Sequence, residues 1–291
     1  MSLFPPDDEL REVLVGPDSV SWSVASDIRL YAVMLYPLLL QVAHPTVDAG
    51  VRDYSDFEQR PWDRLLRSLD WVNLLVYGGD HAALAGRRLR AIHKGFRGTR
   101  EDGRRYYALE PEAYAWVHAT LLESYVTGHA HFGRPMTDER LERFYDEYRT
   151  LGRLAGVREG DLPDDWASFH AYFDDVCERR LVRTPSVDRV LRSVSHPASP
   201  PPLPRWAWRV ASIPPQRALW LGGIGLMPAS LRERLGIPWS ARDERAFQRL
   251  GAVSRGLEPV LPRRLKVMGP MNLRLRRNAI ARGPLGSGAA A

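Results

Sequence analysis

Four places in this 291-residue chain gather side chains able to do chemistry. The first is Gln41-Val42-Ala43-His44-Pro45, which closes the most apolar run of the sequence. Pro45 biases His44 out of the α region and towards a helix end. Its imidazole reads either as a capping or core group satisfied by backbone, or as a pocket-lining group. The second place is Arg64 and Ser68, four apart and therefore on one helix face. The rigid donor fork of an arginine beside a hydroxyl can hold an anion. The simpler reading is a surface arginine, given Asp63, Arg67 and Asp70 around it. The third is His93, between Ile92 and Phe96 and among cations that disfavour the imidazolium. A neutral imidazole is what a metal ligand must be. The fourth is His118 in Trp116-Val117-His118-Ala119-Thr120, an equally apolar setting. Lone histidines of this kind are more often structural than ligating. His129 and His131 sit near an expected helix end and read as exposed.

Other chemistries lack their motifs. There is no HExxH, no Glu-x-x-His pair of the di-iron type, no Gly-x-Ser-x-Gly elbow, and no Rossmann or P-loop glycine pattern. Asp138, Glu139 and Glu142 read as helix capping rather than as paired catalytic carboxylates. The single cysteine, Cys177, offers neither an internal disulfide nor a cysteine-based zinc site.

The elements that must position these groups are helical. Trp62, Leu65, Leu66, Leu69, Val72 and Val76 recur at spacings of three and four, as an amphipathic helix requires. Pro61 suits its first turn, and Gly78-Gly79 stops it. A second helix is expected from Asp80 to about Gly95, with Asp80 as N-cap, and a third opens at Glu110-Pro111-Glu112. Thr137 caps a helix through Leu154, another spans Trp166 to Arg183, and one more runs from Trp239 to Arg255. Strand alternation never persists. The expected fold is all-α: a single large helical domain of globin-like complexity. Its core region is 22–197. An extended Pro-rich crossing, SHPASPPPLP, leads to a C-terminal helical extension over 198–282, and GPLGSGAAA at 283–291 reads as a disordered tail.

The composition, 44% apolar and 26% charged, is that of a globular protein. The net charge of +6 comes mainly from arginines clustered at Arg87–Arg90, Arg97–Arg105 and Arg263–Arg282. Such clusters suit an acidic substrate, anionic lipid or nucleic acid. No nucleic-acid motif accompanies them, so no specific nucleic-acid partner is expected. The run Leu30–Ala43 is too short to span a bilayer and contains Pro37; it reads as a buried or interfacial helix. With no visible secretory signal and a lone cysteine, the expected location is cytoplasmic, with some peripheral membrane contact.

Taken in order, LLLQVAHPTVDAGVRDYSDF, PWDRLLRSLDWVNLLVYGG, IHKGFRG, YALEPEAYAWVHATLLES and LPDDWASFHAYFDDV resemble the catalytic domain shared by latex-clearing protein (rubber oxygenase) and MpaB-type oxygenases. The resemblance covers roughly Trp22 to Pro197, with a weaker echo around LRERLGIPWSARDERAF. It implies an all-helical core around a b-type haem with one axial histidine, which His93 matches best and for which His118 is the alternative. The family's Arg-x-x-x-Thr helix falls on Arg64 and Ser68, and its distal lysine position is Arg67 here. Its catalytic glutamate falls near Asp48. The implied function is a haem b-dependent oxygenase using O₂ on a small apolar substrate, an isoprenoid or other alkene. In that function His93 is the iron ligand, and Arg64, Ser68, His44 and Asp48 line or serve the reaction. Two alternatives stay open. One is a non-catalytic haem protein, a sensor or carrier, closed by a second histidine (His44 or His118). The other is a haem-free helical protein that binds lipid or a partner.

Overall fold

A computed structural model describes residues 16, 18–79, 81–200 and 203–260. Thirteen α-helices and one 3₁₀ helix are resolved among them. They are α1 (Val20–Ala25), the 3₁₀ helix (Ile28–Val33), α2 (Leu35–Val42), α3 (Pro45–Tyr54), α4 (Pro61–Tyr77), α5 (His81–His93), α6 (Pro111–Phe132), α7 (Asp138–Ala155), α8 (Trp166–Arg179), α9 (Pro185–Ser195), α10 (Arg205–Ala211), α11 (Ile213–Gly225), α12 (Ala229–Arg234) and α13 (Ala241–Leu257). The all-α expectation is met, with one addition. Arg97–Thr99 (β1) and Arg105–Tyr107 (β2) form a short antiparallel hairpin within what reads in sequence as a basic cluster. The turn between them uses Gly103 at φ +80.

Local signals account for most helix starts. Proline stands in the first turn of α3, α4, α6, α9 and α11, where its missing N–H costs nothing. Ser19, Thr137, Asp165, Thr184 and Ser240 cap α1, α7, α8, α9 and α13 with side-chain oxygens. Asp80, the expected cap of α5, lies outside the described residues. Two boundaries differ from expectation. The apolar run Leu30–Ala43 is broken into the 3₁₀ helix and α2, and Pro37 falls in the first turn of α2, where it is tolerated. Helix α8 stops at Arg179 rather than Arg183. The next residues run across to α2, where the Val182 N–H donates to the Ala43 carbonyl at 3.0 Å and the Thr184 hydroxyl donates to the Val42 carbonyl at 2.7 Å.

Helices α2 and α6 form the centre of the core. Leu39, Leu40, Trp116, Ala119 and Leu122 are fully buried there, and the Trp116 indole donates to the Leu40 carbonyl at 3.0 Å. The C-terminal helices join the same core through Leu221, Ile224, Met227, Leu231 and Phe247. Their approach is close: a side chain on Gly222 would lie 2.4 Å from the Ala32 carbonyl oxygen. The described part of the crossing, 196–200 with 203 and 204, is non-helical, as its prolines require. The basic cluster from Arg263 and the expected tail, within residues 261–291, lie outside the described residues. Among the described residues no helix is long and apolar enough to cross a membrane alone; the bent pair Ile28–Val42 and Pro45–Tyr54 turns by 102°.

Candidate functional site

Helices α4 and α5 form a hairpin about Gly78-Gly79. Gly79 takes φ +52, and a side chain on Gly78 would strike the Leu74 carbonyl. Two packed helices rising equally from one turn bring equidistant residues side by side. Arg64 is fifteen residues before Gly79 and His93 fourteen after it. The sequence therefore places an arginine and a histidine together at the open end of the hairpin, and the Arg64 charge does bear on the His93 ring.

Arg64 is half-buried, and its guanidinium donates to the Ser68 hydroxyl one turn on. Ser68 in turn donates to the Arg64 carbonyl at 3.0 Å. Among the described residues no carboxylate lies within ion-pair distance of Arg64. Burial and the nearby Arg67 both lower its pKa, against a weaker opposing pull from Asp56. The surface ion pair belongs to Arg67, whose guanidinium meets Asp56 at 2.5 Å. Arg64 is thus a poorly solvated cation whose donors are not spent on a carboxylate, which is what an incoming anionic group would meet.

His93 ends α5. Its Nδ1 lies 2.7 Å from the Leu89 carbonyl. A carbonyl only accepts, so Nδ1 carries the proton and the lone pair falls on Nε2, which has no protein partner among the described residues. A backbone contact of this kind holds an imidazole in one orientation and one tautomer. Burial first, and Arg64 second, hold the ring below its ordinary pKa, so it is neutral at pH 7. Aromatic rings fix its plane: Phe96 lies 5.3 Å away and Tyr114 6.1 Å away. Phe96 is itself stacked on Tyr54 at 4.1 Å, and the Tyr114 hydroxyl donates to the Ala155 carbonyl at 2.8 Å. The donor set fits a haem: a neutral histidine with Nε2 available, and an arginine without a carboxylate partner close by. No cluster of three or more metal-ligating side chains is present among the described residues. One axial histidine needs none.

His44 is elsewhere. It is extended (φ −81°, ψ 124°) at the start of α3, as Pro45 demands. Its Nε2 lies 3.9 Å from Glu112, and its buried Nδ1 has no partner. Burial brings its pKa down to about 4, against the opposing pull of Glu112. Glu112 also meets Arg180 at 3.3 Å. Glu112 and Tyr114 are two residues apart on α6, so they point about 200° apart around that helix. His44 and His93 consequently sit on opposite faces of it.

Asp48 is buried, and its carboxylate accepts the Ser186 N–H at 2.9 Å, closing the first turn of α9. His118, one turn beyond Tyr114, stacks on Tyr148 at 4.3 Å. Its Nε2 donates to the Tyr148 carbonyl at 2.8 Å, and a side chain on Gly152 would lie 2.8 Å from that nitrogen. Burial puts its pKa at about 4. It is a core histidine. His129 and His131 are not exposed as expected. His129 is half-buried 3.9 Å from Asp27, and His131 lies flat on Phe247 at 3.7 Å.

Sequence reading missed Tyr114, whose ring fixes His93, and Glu112, which faces His44. It also missed Glu123, buried mid-α6. There one carboxylate oxygen accepts the Thr127 hydroxyl at 2.5 Å, the other has no partner, and burial raises the pKa. The available signal was a lone charged residue in ATLLESYV.

Residues 22–256 match the family described as "ER-bound oxygenase mpaB/B'/Rubber oxygenase, catalytic domain". Two uncharacterised mycobacterial proteins, Mb2261 of Mycobacterium bovis and Rv2237 of Mycobacterium tuberculosis, are each 25% identical to the chain over 240 residues, 79% of this chain and 91% of theirs. No solved structure matches it.

Proposed function

This chain belongs to the mpaB/rubber oxygenase catalytic-domain family, and from that premise we propose that it is a haem b-dependent oxygenase acting with O₂ on a small apolar alkene. The observation that carries the haem assignment is the pairing of His93, with Nε2 available and Nδ1 anchored to Leu89, with Arg64, which lacks a close carboxylate. Haem b, when bound, supplies a redox-active iron with a position at which O₂ can react. The chain's own groups then divide the remaining work. His93 offers its Nε2 lone pair to the iron, with its orientation set by Leu89, Phe96 and Tyr114. Arg64 holds a propionate, and Ser68 keeps the guanidinium aimed.

His44, Asp48 and His118 we assign to positioning. His44 and Asp48 tie the α2–α3 junction to α6 and α9, and His118 fastens α6 to α7. Neither alternative histidine would compete with O₂ for a bound haem. His44 lies across α6 from His93, and His118 has spent Nε2 on a backbone carbonyl. This favours an oxygenase over a closed carrier. The apolar substrate class is supported by the family description alone, and the cytoplasmic location by the single, buried Cys177.

The test is an oxidised and reduced absorption spectrum with a pyridine haemochrome assay, on protein expressed with a haem precursor. About one haem b per chain is expected, in a five-coordinate or water-ligated ferric form. His93→Ala should fold but lose haem, and added imidazole should restore binding. A fully loaded His93→Ala protein, or a wild type that takes up no haem, would sink the assignment.

A further inference from the structure

The segment after the Pro-rich crossing presents an apolar stripe to solvent. Trp206, Val210 and Ile213 are 75%, 69% and 59% exposed. They recur at spacings of four and three, through α10 and into the start of α11. Ser212 between the two helices keeps αR geometry, so the stripe continues along one face. Leu203, three residues earlier, is also exposed. The opposite face is anchored. The Trp208 indole donates to the Pro197 carbonyl at 2.8 Å and its ring packs edge-on against Trp62 at 5.7 Å. Trp62 donates to the Ala198 carbonyl at 3.0 Å. Two tryptophans thus pin the helix to the first turn of α4, and Trp206 is held outward rather than left loose.

Along the sequence, the stretch that holds this stripe carries charge of one sign. No aspartate or glutamate occurs between Asp188 and Glu233, while six arginines do: Arg189, Arg192, Arg205, Arg209, Arg217 and Arg232. Arg189 and Arg217 are ion-paired with Glu58 and Asp243 at 2.7 Å each, whereas Arg209, exposed beside the stripe, has no carboxylate partner among the described residues. A tryptophan-bearing apolar face with an exposed, unpaired arginine beside it, in an acid-free stretch of sequence, is the composition of a helix that lies in a membrane interface, with the cation meeting lipid phosphates. A nucleic acid would use the charge but not the aliphatic stripe. We propose that α10 and the start of α11 form a peripheral docking face for an anionic phospholipid bilayer, with Trp206, Val210 and Ile213 entering the interface. The same anchor, Trp62, opens the helix that carries Arg64. The docking face is therefore tied to the helix that carries Arg64, although docking itself does not depend on haem.

The full chain should co-sediment with phosphatidylcholine vesicles containing phosphatidylglycerol, and only weakly with phosphatidylcholine alone. The triple variant Trp206→Ser/Val210→Ser/Ile213→Ser should bind at least about tenfold less tightly. A second measurement uses Trp206→Cys. The one native cysteine is buried, so a polarity-sensitive fluorophore reports from that position, and its emission should shift to the blue with acidic vesicles. The proposal is overturned if the wild type ignores acidic vesicles, or if the label shows no shift. It is also overturned if the triple variant binds as well as wild type, which would leave the basic residues after Glu258 to carry the attraction. A dimer in solution that the triple variant dissolves would instead make a second copy the occupant.

Discussion

Replacing Arg64 with methionine should move stability and haem affinity in opposite directions. In the apo-protein Arg64 is a half-buried cation with a hydroxyl but no carboxylate close by. Full burial of an unpaired charge costs several kcal/mol, so half-burial with residual solvation costs about 1–2 kcal/mol. Methionine keeps the aliphatic stem that packs along α4 and removes that cost. Ser68 loses a donor but stays bonded to the Arg64 carbonyl, so nothing is stranded. For a chain of this size each kcal/mol moves Tm by about 2–4 °C, and the apo variant should melt roughly 2–8 °C higher. The holo form shows the reverse. A hydrogen bond to a charged group is worth about 1.5–3 kcal/mol, which is a roughly ten- to hundredfold weaker hold on haem. The pair of assays is thermal denaturation by circular dichroism without haem, and transfer of haem to excess apomyoglobin. Arg64→Lys should fall between the two in haem retention, because it keeps the charge and loses the fork. An Arg64→Met protein that melts lower without haem and releases haem at the wild-type rate would refute the reasoning, because the arginine would then be structural.

Three further outcomes follow from the packing. Gly86→Ala would put a methyl 1.8 Å from the Leu154 carbonyl oxygen, forcing α5 off α7. Overpacking of this kind costs about 1–3 kcal/mol or more, and because His93 shares that face two turns on, the drop in Tm should come with weaker haem binding. Stability should fall as the pH drops from about 6.5 towards about 4. Burial depresses His44 and His118 to about 4, so below 6.5 the unfolded chain takes up protons that the native state refuses. Urea midpoints at neutral and mildly acid pH measure this, and a flat profile would contradict the burial. His118→Gln keeps a donor for the Tyr148 carbonyl, and should reduce that acid slope while leaving the absorption spectrum of the holo-protein unchanged; a lost or shifted Soret band would make His118 a haem ligand after all.

What the sequence disclosed was what is local. Pro61, Glu110-Pro111 and Thr137 announce helix starts because capping and proline geometry act within one turn. Pro45 sets the extended conformation of His44 for the same reason. The end of α8 was not legible. Leu181 continues the apolar period, but the Val182 N–H leaves for Ala43 on a helix far away in sequence. The hairpin at 97–107 was hidden likewise, since its arginines read as charge and its pairing is set by Gly103 and by the contact of the Tyr106 hydroxyl with Asp53 at 2.7 Å.

The candidate site divides along the same line. Arg64 and His93 stand out in sequence by residue type and by resemblance, and the hairpin about Gly79 explains why they meet, whereas the roles of His44, Asp48 and His118 depend on contacts that no spacing encodes. Helix α6 decides between them. Residues 112 and 114 point to opposite sides, Glu112 to His44 and Tyr114 to His93. A haem held by His93, as proposed, would therefore sit with Arg64 on one side of α6, where His44 would reach it only if that helix turned by about half a revolution. Such a rotation would pull Trp116 from the Leu40 carbonyl and His118 from Tyr148. The packing of α6 is thus what would keep His44 away from a cofactor held by His93.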